Sequence, residues 1–265
     1  MCIRDSTTVA ALILKEKNLL DFDVPVSKYI PIFKNLMCKS KEGIVPCKNE
    51  IKIIDLITHL SGLSYYKDFM LDGIRAEGLE DLMEDIAEQP LEFEPGERYF
   101  YGLGHDVLGR VIEVVSGASF QAFMQTYIFE PLEMNHTKFF LTPKEKELML
   151  PLFVRNEKIE GFNETGITGI NDLITYDMEF KVAYGSLGLI STPKDFSNFC
   201  SMLINRGKFK NKRILSPESV YELIVRYADG PHSNDNDFMG VYNLSLIHIY
   251  ETTRPERIGY GVLLL

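Results

Sequence analysis

The residue of this chain best placed to do chemistry is a tyrosine in the segment "RYFYGLG". Tyr101 follows the turn "EPGE" and precedes a predicted helix from Asp106. A tyrosine held between a turn and a helix start can point into a cleft, and a nearby cation that lowers its pKa would let it relay a proton. The alternative is an ordinary half-buried tyrosine, one of thirteen in the chain, and Tyr99 is close enough to be confused with it.

Two histidines are further candidates for functional residues. His59, in "THLSGL", is a possible base, but a turn-shaping role is the favoured interpretation. His105 lies four residues after Tyr101 and could sit on a cleft rim, although a solvated histidine at a helix start is favoured. Asp21 and Asp23 fit a turn and have no third ligand nearby, so no metal site is predicted.

Composition narrows the classes of function. The chain has 265 residues, a net charge of -10 and no basic cluster longer than "KNKR", which argues against nucleic-acid binding. No apolar run approaches the roughly 18 residues of a membrane span. Cys38 and Cys47 bracket a polar segment and could close a loop, but two unrelated free thiols are favoured, and no Cys/His spacing suggests zinc.

Helical periodicity dominates the elements that must position these residues. Thr192, Pro193 and Asp195 read as the N-cap, first residue and capping-box acid of one helix, and Gly207 follows its end. The strand candidates are few: "TKFFLT", "LSLIHIY" and "GYGVLLL". The other predicted helices are Thr7–Lys17, Ile51–Leu60, Gly78–Gln89, Asp106–Ser116 ended by Gly117, one capped by Ser119, and one from Ser216–Pro217.

Four segments in order resemble one known family. They are "TTVAALILKEKNLLDFDVPVSKYIP", "IKIIDLITHLSGL", "FEPGERYFYGLGHDVLGRVIEVVSG" and "YGSLGLISTPKDFSNFCSMLINRGKFKNKRILSPESV". Together they resemble the serine β-lactamase-like superfamily of penicillin-binding proteins, class C β-lactamases and related esterases. The implied fold is mostly α, the helical part of an α/β β-lactamase-like (DD-peptidase-type) fold with most of the central antiparallel sheet missing.

The resemblance also implies an acyl-enzyme reaction on a small ester or amide substrate, without a cofactor. Tyr101 matches the family's catalytic tyrosine. Leu103 stands at a substrate-binding position where the β-lactamases usually carry asparagine. Because leucine cannot hydrogen-bond a β-lactam amide, the resemblance points toward the esterase branches.

The family's nucleophile motif is S-x-x-K-x-x-T, whose serine and lysine share one helical face. If Thr7 is its threonine, Met1 and Arg4 occupy the serine and lysine positions, and neither can do that chemistry. Ser6 is followed by Val9 at i+3, and Ser64, in "SYYK", lies downstream and is interpreted as coincidence.

We therefore expect a fragment of a serine hydrolase that is inactive as written, with the third motif (K-T-G or H-x-G) also missing. Residues 1–6 are predicted to be a non-native leader, 7–243 an incomplete β-lactamase-related domain, and 244–265 a non-native or incomplete tail. The alternative function is a non-catalytic protein of the same fold that binds cell-wall peptides or a protein partner. The sequence leaves localisation and oligomeric state open.

Overall fold

A computed structural model describes most of the chain between its third residue and residue 245. The described residues are 3–66, 68–150, 152–156, 161–165, 181–224, 226–228 and 244–245. Among them helices dominate, as the sequence predicts, and the strands form four separate antiparallel pairs.

Helix α1, Ile3–Glu16, forms the centre of the core. Every residue from Ile3 to Leu14 is buried, and the helix packs against three other α-helices and a π-helical turn, all described below. The predicted helix from Thr7 is confirmed, but its start lies four residues earlier than expected. Thr7 and Thr8 donate hydroxyl hydrogen bonds to the carbonyls of Ile3 (3.0 Å) and Arg4 (2.9 Å), and these bonds tie the first turn to the rest of the helix.

The segment after α1 forms two short 3-10 helices, a hairpin and a short helix. Pro31 begins the second 3-10 helix, because its fixed φ and missing N–H suit a first position. The predicted helix at 51–60 is shorter than expected. In order, the elements are the 3-10 helices Val26–Lys28 and Pro31–Lys34, β1 (Met37–Ser40), β2 (Gly43–Pro46) and α2 (Ile53–Ile57).

The middle of the chain is helical and forms much of the core with α1. Helix α5, Gly104–Ser116, packs against both α1 and α2, and Gly117 ends it in the left-handed conformation that favours glycine. Ser119 caps the next helix as predicted. The other elements here are α3 (Phe69–Arg75), α4 (Leu82–Glu88), α6 (Phe120–Met124), a π-helical turn (Gln125–Phe129) and α7 (Pro143–Lys146).

The last third contains two more helices and the remaining strand pairs. The predicted strand "TKFFLT" is wrong: the structure has only an isolated bridge between Lys138 and Ile190 there. "LSLIHIY" contributes two described strand residues, and "GYGVLLL" lies outside the described residues. The elements are β3 (Leu152–Asn156), β4 (Gly161–Thr165), α8 (Pro193–Ile204), β5 (Lys208–Phe209), β6 (Lys212–Arg213), α9 (Pro217–Ile224), β7 (Arg226–Ala228) and β8 (Leu244–Ser245).

The start of α8 is capped differently from the prediction. The Thr192 hydroxyl accepts from the Asp195 N–H (3.2 Å), as an N-cap does. The Asp195 carboxylate, however, accepts from the His136 N–H (2.8 Å) and the Thr137 hydroxyl (2.9 Å). Asp195 therefore joins α8 to the segment before α7 instead of completing a capping box.

Among the described helices, none is by itself long and apolar enough to cross a membrane. Gly104–Ser116 and Phe120–Phe129, which meet at 80°, satisfy those length and composition limits only as a bent pair.

Candidate active site

The first turn of α1 lies against the candidate tyrosine. The guanidinium carbon of Arg4 is 4.7 Å from the centroid of the Tyr101 ring, within the range of a cation–π contact. Arg4 is only 8% exposed. Arg4 and Tyr101, which the sequence analysis assigned to the family's lysine and tyrosine positions, are therefore adjacent; that assignment stays a prediction.

Tyr101 is held by its backbone neighbours and by aromatic rings. The N–H of Phe100 donates to the carbonyl of His59 (2.8 Å). At Gly102 a Cβ would lie 1.8 Å from the carbonyl oxygen of Leu63, so only glycine lets the two segments approach this closely. The Tyr101 ring, half-buried, is 4.8 Å from the His59 ring. These contacts fix the tyrosine between the turn and α5.

His59 occupies the turn that the sequence analysis assigned to it. It is 1% exposed and has a positive φ of 58°, a conformation uncommon for a residue other than glycine. Because its carbonyl supports Phe100 while its ring contacts Tyr101, His59 shapes the approach of the tyrosine segment.

The favoured interpretation of His105 as a solvated histidine is wrong. Its side chain is fully buried, and Nε2 lies 3.3 Å from the Thr8 hydroxyl on α1. Its ring is also 5.0 Å from that of His59. His105 belongs to the packing between α1 and α5 and does not line an open rim, because the helix turns it inward.

Asp106 is a buried carboxylate that the sequence analysis did not single out. It is 0% exposed and accepts hydrogen bonds from the Ser186 hydroxyl (2.7 Å) and the Ser186 N–H (3.1 Å). Burial raises its pKa to about 6, and the bonds from Ser186 and the charge of Arg4 oppose a larger rise. The sequence signal that could have indicated its burial is its position beside Val107 and Leu108, on the apolar face of a helix.

The segment that bears Ser186 is fastened to α1 as well as to α5. The Thr7 hydroxyl donates to the carbonyl of Gly185 (2.7 Å). A Cβ at Gly185 would lie 1.9 Å from the carbonyl oxygen of His105, so the glycine allows direct backbone packing on α5. Gly185 and Ser186 belong to what we call the crossing segment, residues 184–186. Helices α1 and α5 and this segment therefore meet within one turn of the Arg4–Tyr101 contact.

Leu103, predicted to bind substrate, is fully buried and belongs to the core at the start of α5. Its contact with a substrate stays a prediction.

One S-x-x-K pattern was missed, at Ser191 and Lys194. The Ser191 hydroxyl is hydrogen-bonded to that of Thr137 (2.8 Å). The spacing there spans the N-cap of α8, so it does not place a serine and a lysine on one helical face.

The described residues contain one group of side chains with metal-binding potential. Cys38, Cys47 and Glu94 each offer a ligand atom within 4.8 Å of the others. The favoured prediction of two free thiols is wrong, because Cys38 and Cys47 form a disulfide.

Comparisons with known proteins agree on one family. The sequence model of the "Beta-lactamase" family matches residues 6–237. A "Putative D-alanyl-D-alanine carboxypeptidase" of Salmonella heidelberg is 25% identical over 83% of this chain and 53% of its own length. The "Lovastatin esterase" of Penicillium rubens is 28% identical over 97% of this chain and 66% of its own. The chain thus spans about half the length of the carboxypeptidase-like relatives.

Solved structures show the same fold. A mutant of "Simvastatin Synthase (LOVD)" from Aspergillus terreus aligns with a TM-score of 0.67 at 22% identity, covering 86% of this chain and 56% of that one. The "octameric penicillin-binding protein homologue" from Pyrococcus abyssi aligns with a TM-score of 0.64 at 22% identity, covering 92% and 51%.

Proposed function

Because this chain belongs to the β-lactamase family, we propose that it carries the scaffold of a serine hydrolase that acts on esters or amides through an acyl-enzyme. A serine at the position that Met1 occupies would attack the carbonyl carbon, and water would later release the acyl group. Tyr101 would relay the proton, helped by a cation on α1. Relatives named as a carboxypeptidase and an esterase support the substrate class.

We further propose that the chain as written lacks this activity. The observation that carries the proposal is the Arg4 guanidinium, 4.7 Å from the Tyr101 ring at the position the family gives to lysine. Arginine stays protonated and cannot take a proton from a nucleophile. Ser6, also on α1, is fully buried and has Val9 at i+3, so it does not replace the missing serine and lysine.

Within the hydrolases, the family's sequence pattern at Leu103, a residue that lies buried in the core, supports an esterase-like substrate over a β-lactam. An asparagine at that position could hydrogen-bond the amide of a β-lactam side chain, whereas a leucine side chain has no donor or acceptor.

The second candidate function is a non-catalytic protein that binds a carboxylate-bearing ligand such as a cell-wall peptide. The arginine at the proposed lysine position favours it, because a side chain that stays protonated leaves the fold without a base for turnover. Binding of a D-alanyl-D-alanine peptide that is weakened by Arg4→Met, with no hydrolysis, would support this candidate.

Restoring the missing pair tests the proposed register. In a Met1→Ser, Arg4→Lys double variant with an added initiator methionine, we expect a fluorophosphonate probe to label the serine at position 1. The unaltered chain and the same variant carrying Tyr101→Phe serve as controls and should be labelled little or not at all. A folded double variant that stays unlabelled would contradict the assignment of Met1 and Arg4.

A further inference from the structure

The hairpin β1–β2 carries two cysteines whose backbones are fixed on both sides. Cys38 pairs with Val45 across the hairpin. Beyond β2, the Cys47 N–H donates to the carbonyl of Leu36 (2.9 Å). The Cα atoms of the two cysteines are 5.1 Å apart. Backbone hydrogen bonds hold both residues in addition to the disulfide. The two sulfur atoms should therefore stay close when the disulfide is opened.

A carboxylate completes a set of three donor atoms. One carboxylate oxygen of Glu94 and the two cysteine sulfurs all lie within 4.8 Å of one another. The same carboxylate accepts from the N–H groups of Lys48 (2.9 Å) and Asn49 (3.2 Å). Hydrogen bonds of this kind orient the ligands of metal sites, and these two hold the Glu94 carboxylate close to the sulfurs.

The donor set has room for an ion. A cavity of about 480 Å³ opens beside the disulfide, with Cys38 and Glu94 in its wall. Two thiolates and a carboxylate suit Zn²⁺, which takes four ligands in a tetrahedron and often leaves one position to water. The cavity can hold that water molecule.

We propose that Cys38, Cys47 and Glu94 form a redox-gated site for Zn²⁺. A dithiol reductant opens the disulfide, gives two electrons and two protons to the sulfurs, and becomes a disulfide itself. Zn²⁺ then displaces a proton from each of the two thiols, and the Glu94 carboxylate provides the third protein ligand. When the cysteines are oxidised, the site is closed to metal.

Metal binding by the full 265-residue chain tests this site. The background carries Cys2→Ser and Cys200→Ser, so that only the hairpin pair can bind through sulfur. After reduction with a dithiol and removal of the reductant, we expect one Zn²⁺ per chain by elemental analysis and thiolate-to-metal absorption bands with Co²⁺. The oxidised chain should bind neither ion.

Glu94→Gln is the decisive variant, and Glu97→Gln is its matched control. Glu97 lines the same cavity but is not one of the three donors. We expect Glu94→Gln to weaken Zn²⁺ affinity of the reduced chain by about tenfold or more, and Glu97→Gln by less than about threefold. The proposal is wrong, and the pair only a structural disulfide, if the reduced chain binds no more Zn²⁺ than a Cys38→Ser, Cys47→Ser variant. Equal affinities of the two glutamine variants would also overturn it.

Discussion

The buried carboxylate of Asp106 gives the fold a measurable dependence on pH. Burial raises its pKa to about 6 in the folded protein, against 3.8 for an ordinary aspartate. Between these pH values the folded state binds more protons than the unfolded state, so the free energy of unfolding falls as pH rises from about 4 to 6. A difference of about 2.2 pKa units lowers the free energy of unfolding by about 3 kcal/mol. This loss is absent below about pH 4 and complete above about pH 6.

The replacement Asp106→Asn removes this titration. The asparagine amide can still hydrogen-bond the N–H and the hydroxyl of Ser186. Urea unfolding of the two proteins between pH 4 and 8 should show wild type losing about 3 kcal/mol relative to the variant as pH rises. The groups around Asp106 are Arg4 on α1, His105 beside it on α5 and Tyr184 on the crossing segment. Both proteins contain these groups, and the comparison changes only the side chain of residue 106.

Ser186→Ala sharpens the same test. The Ser186 hydroxyl and N–H stabilise the charged form of Asp106, so loss of the hydroxyl should raise the pKa of Asp106 further and enlarge the fall in stability. Parallel pH profiles for wild type and Asp106→Asn, within about 0.5 kcal/mol, would refute the claim that a titrating carboxylate is buried here.

Two further replacements test how the crossing segments are attached. Gly185→Ala should destabilise the protein by about 3 kcal/mol, because its Cβ would collide with the carbonyl of His105. The control Gly78→Ala, with open space around the new Cβ, should change stability by less than about 1 kcal/mol. Equal effects of the two replacements in urea unfolding would contradict this. Asp195→Ala should cost about 2–4 kcal/mol, because it leaves the buried Thr137 hydroxyl without its carboxylate acceptor; a loss below about 0.5 kcal/mol would show that this link is unimportant.

Local signals predicted the helices well, and long-range contacts explain what they missed. Thr192, Pro193 and Gly117 act at helix ends through their own backbone preferences, so sequence alone locates them. Asp106 and Ser186 are separated by 80 residues, and no periodicity connects them. The same holds for Glu94 and the two cysteines, whose association depends on how the hairpin packs.

The candidate site was predictable only in part. The ordered motifs indicated Tyr101 and the lysine position at Arg4, and the structure brings the two together. The burial of His105 and Leu103 was not predicted, because the rotation of α5 about its own axis decides which residues at its start face α1 and the core.

Hydrolysis by the purified chain tests the central claim most directly. The chain should hydrolyse neither a nitrophenyl ester nor nitrocefin above the buffer rate, because in the proposed register Arg4, beside Tyr101, takes the lysine position and Met1 takes the serine position. Turnover that Tyr101→Phe abolishes would contradict this account, since it would show a working site in a chain with methionine and arginine at the positions we propose for the nucleophile and its base.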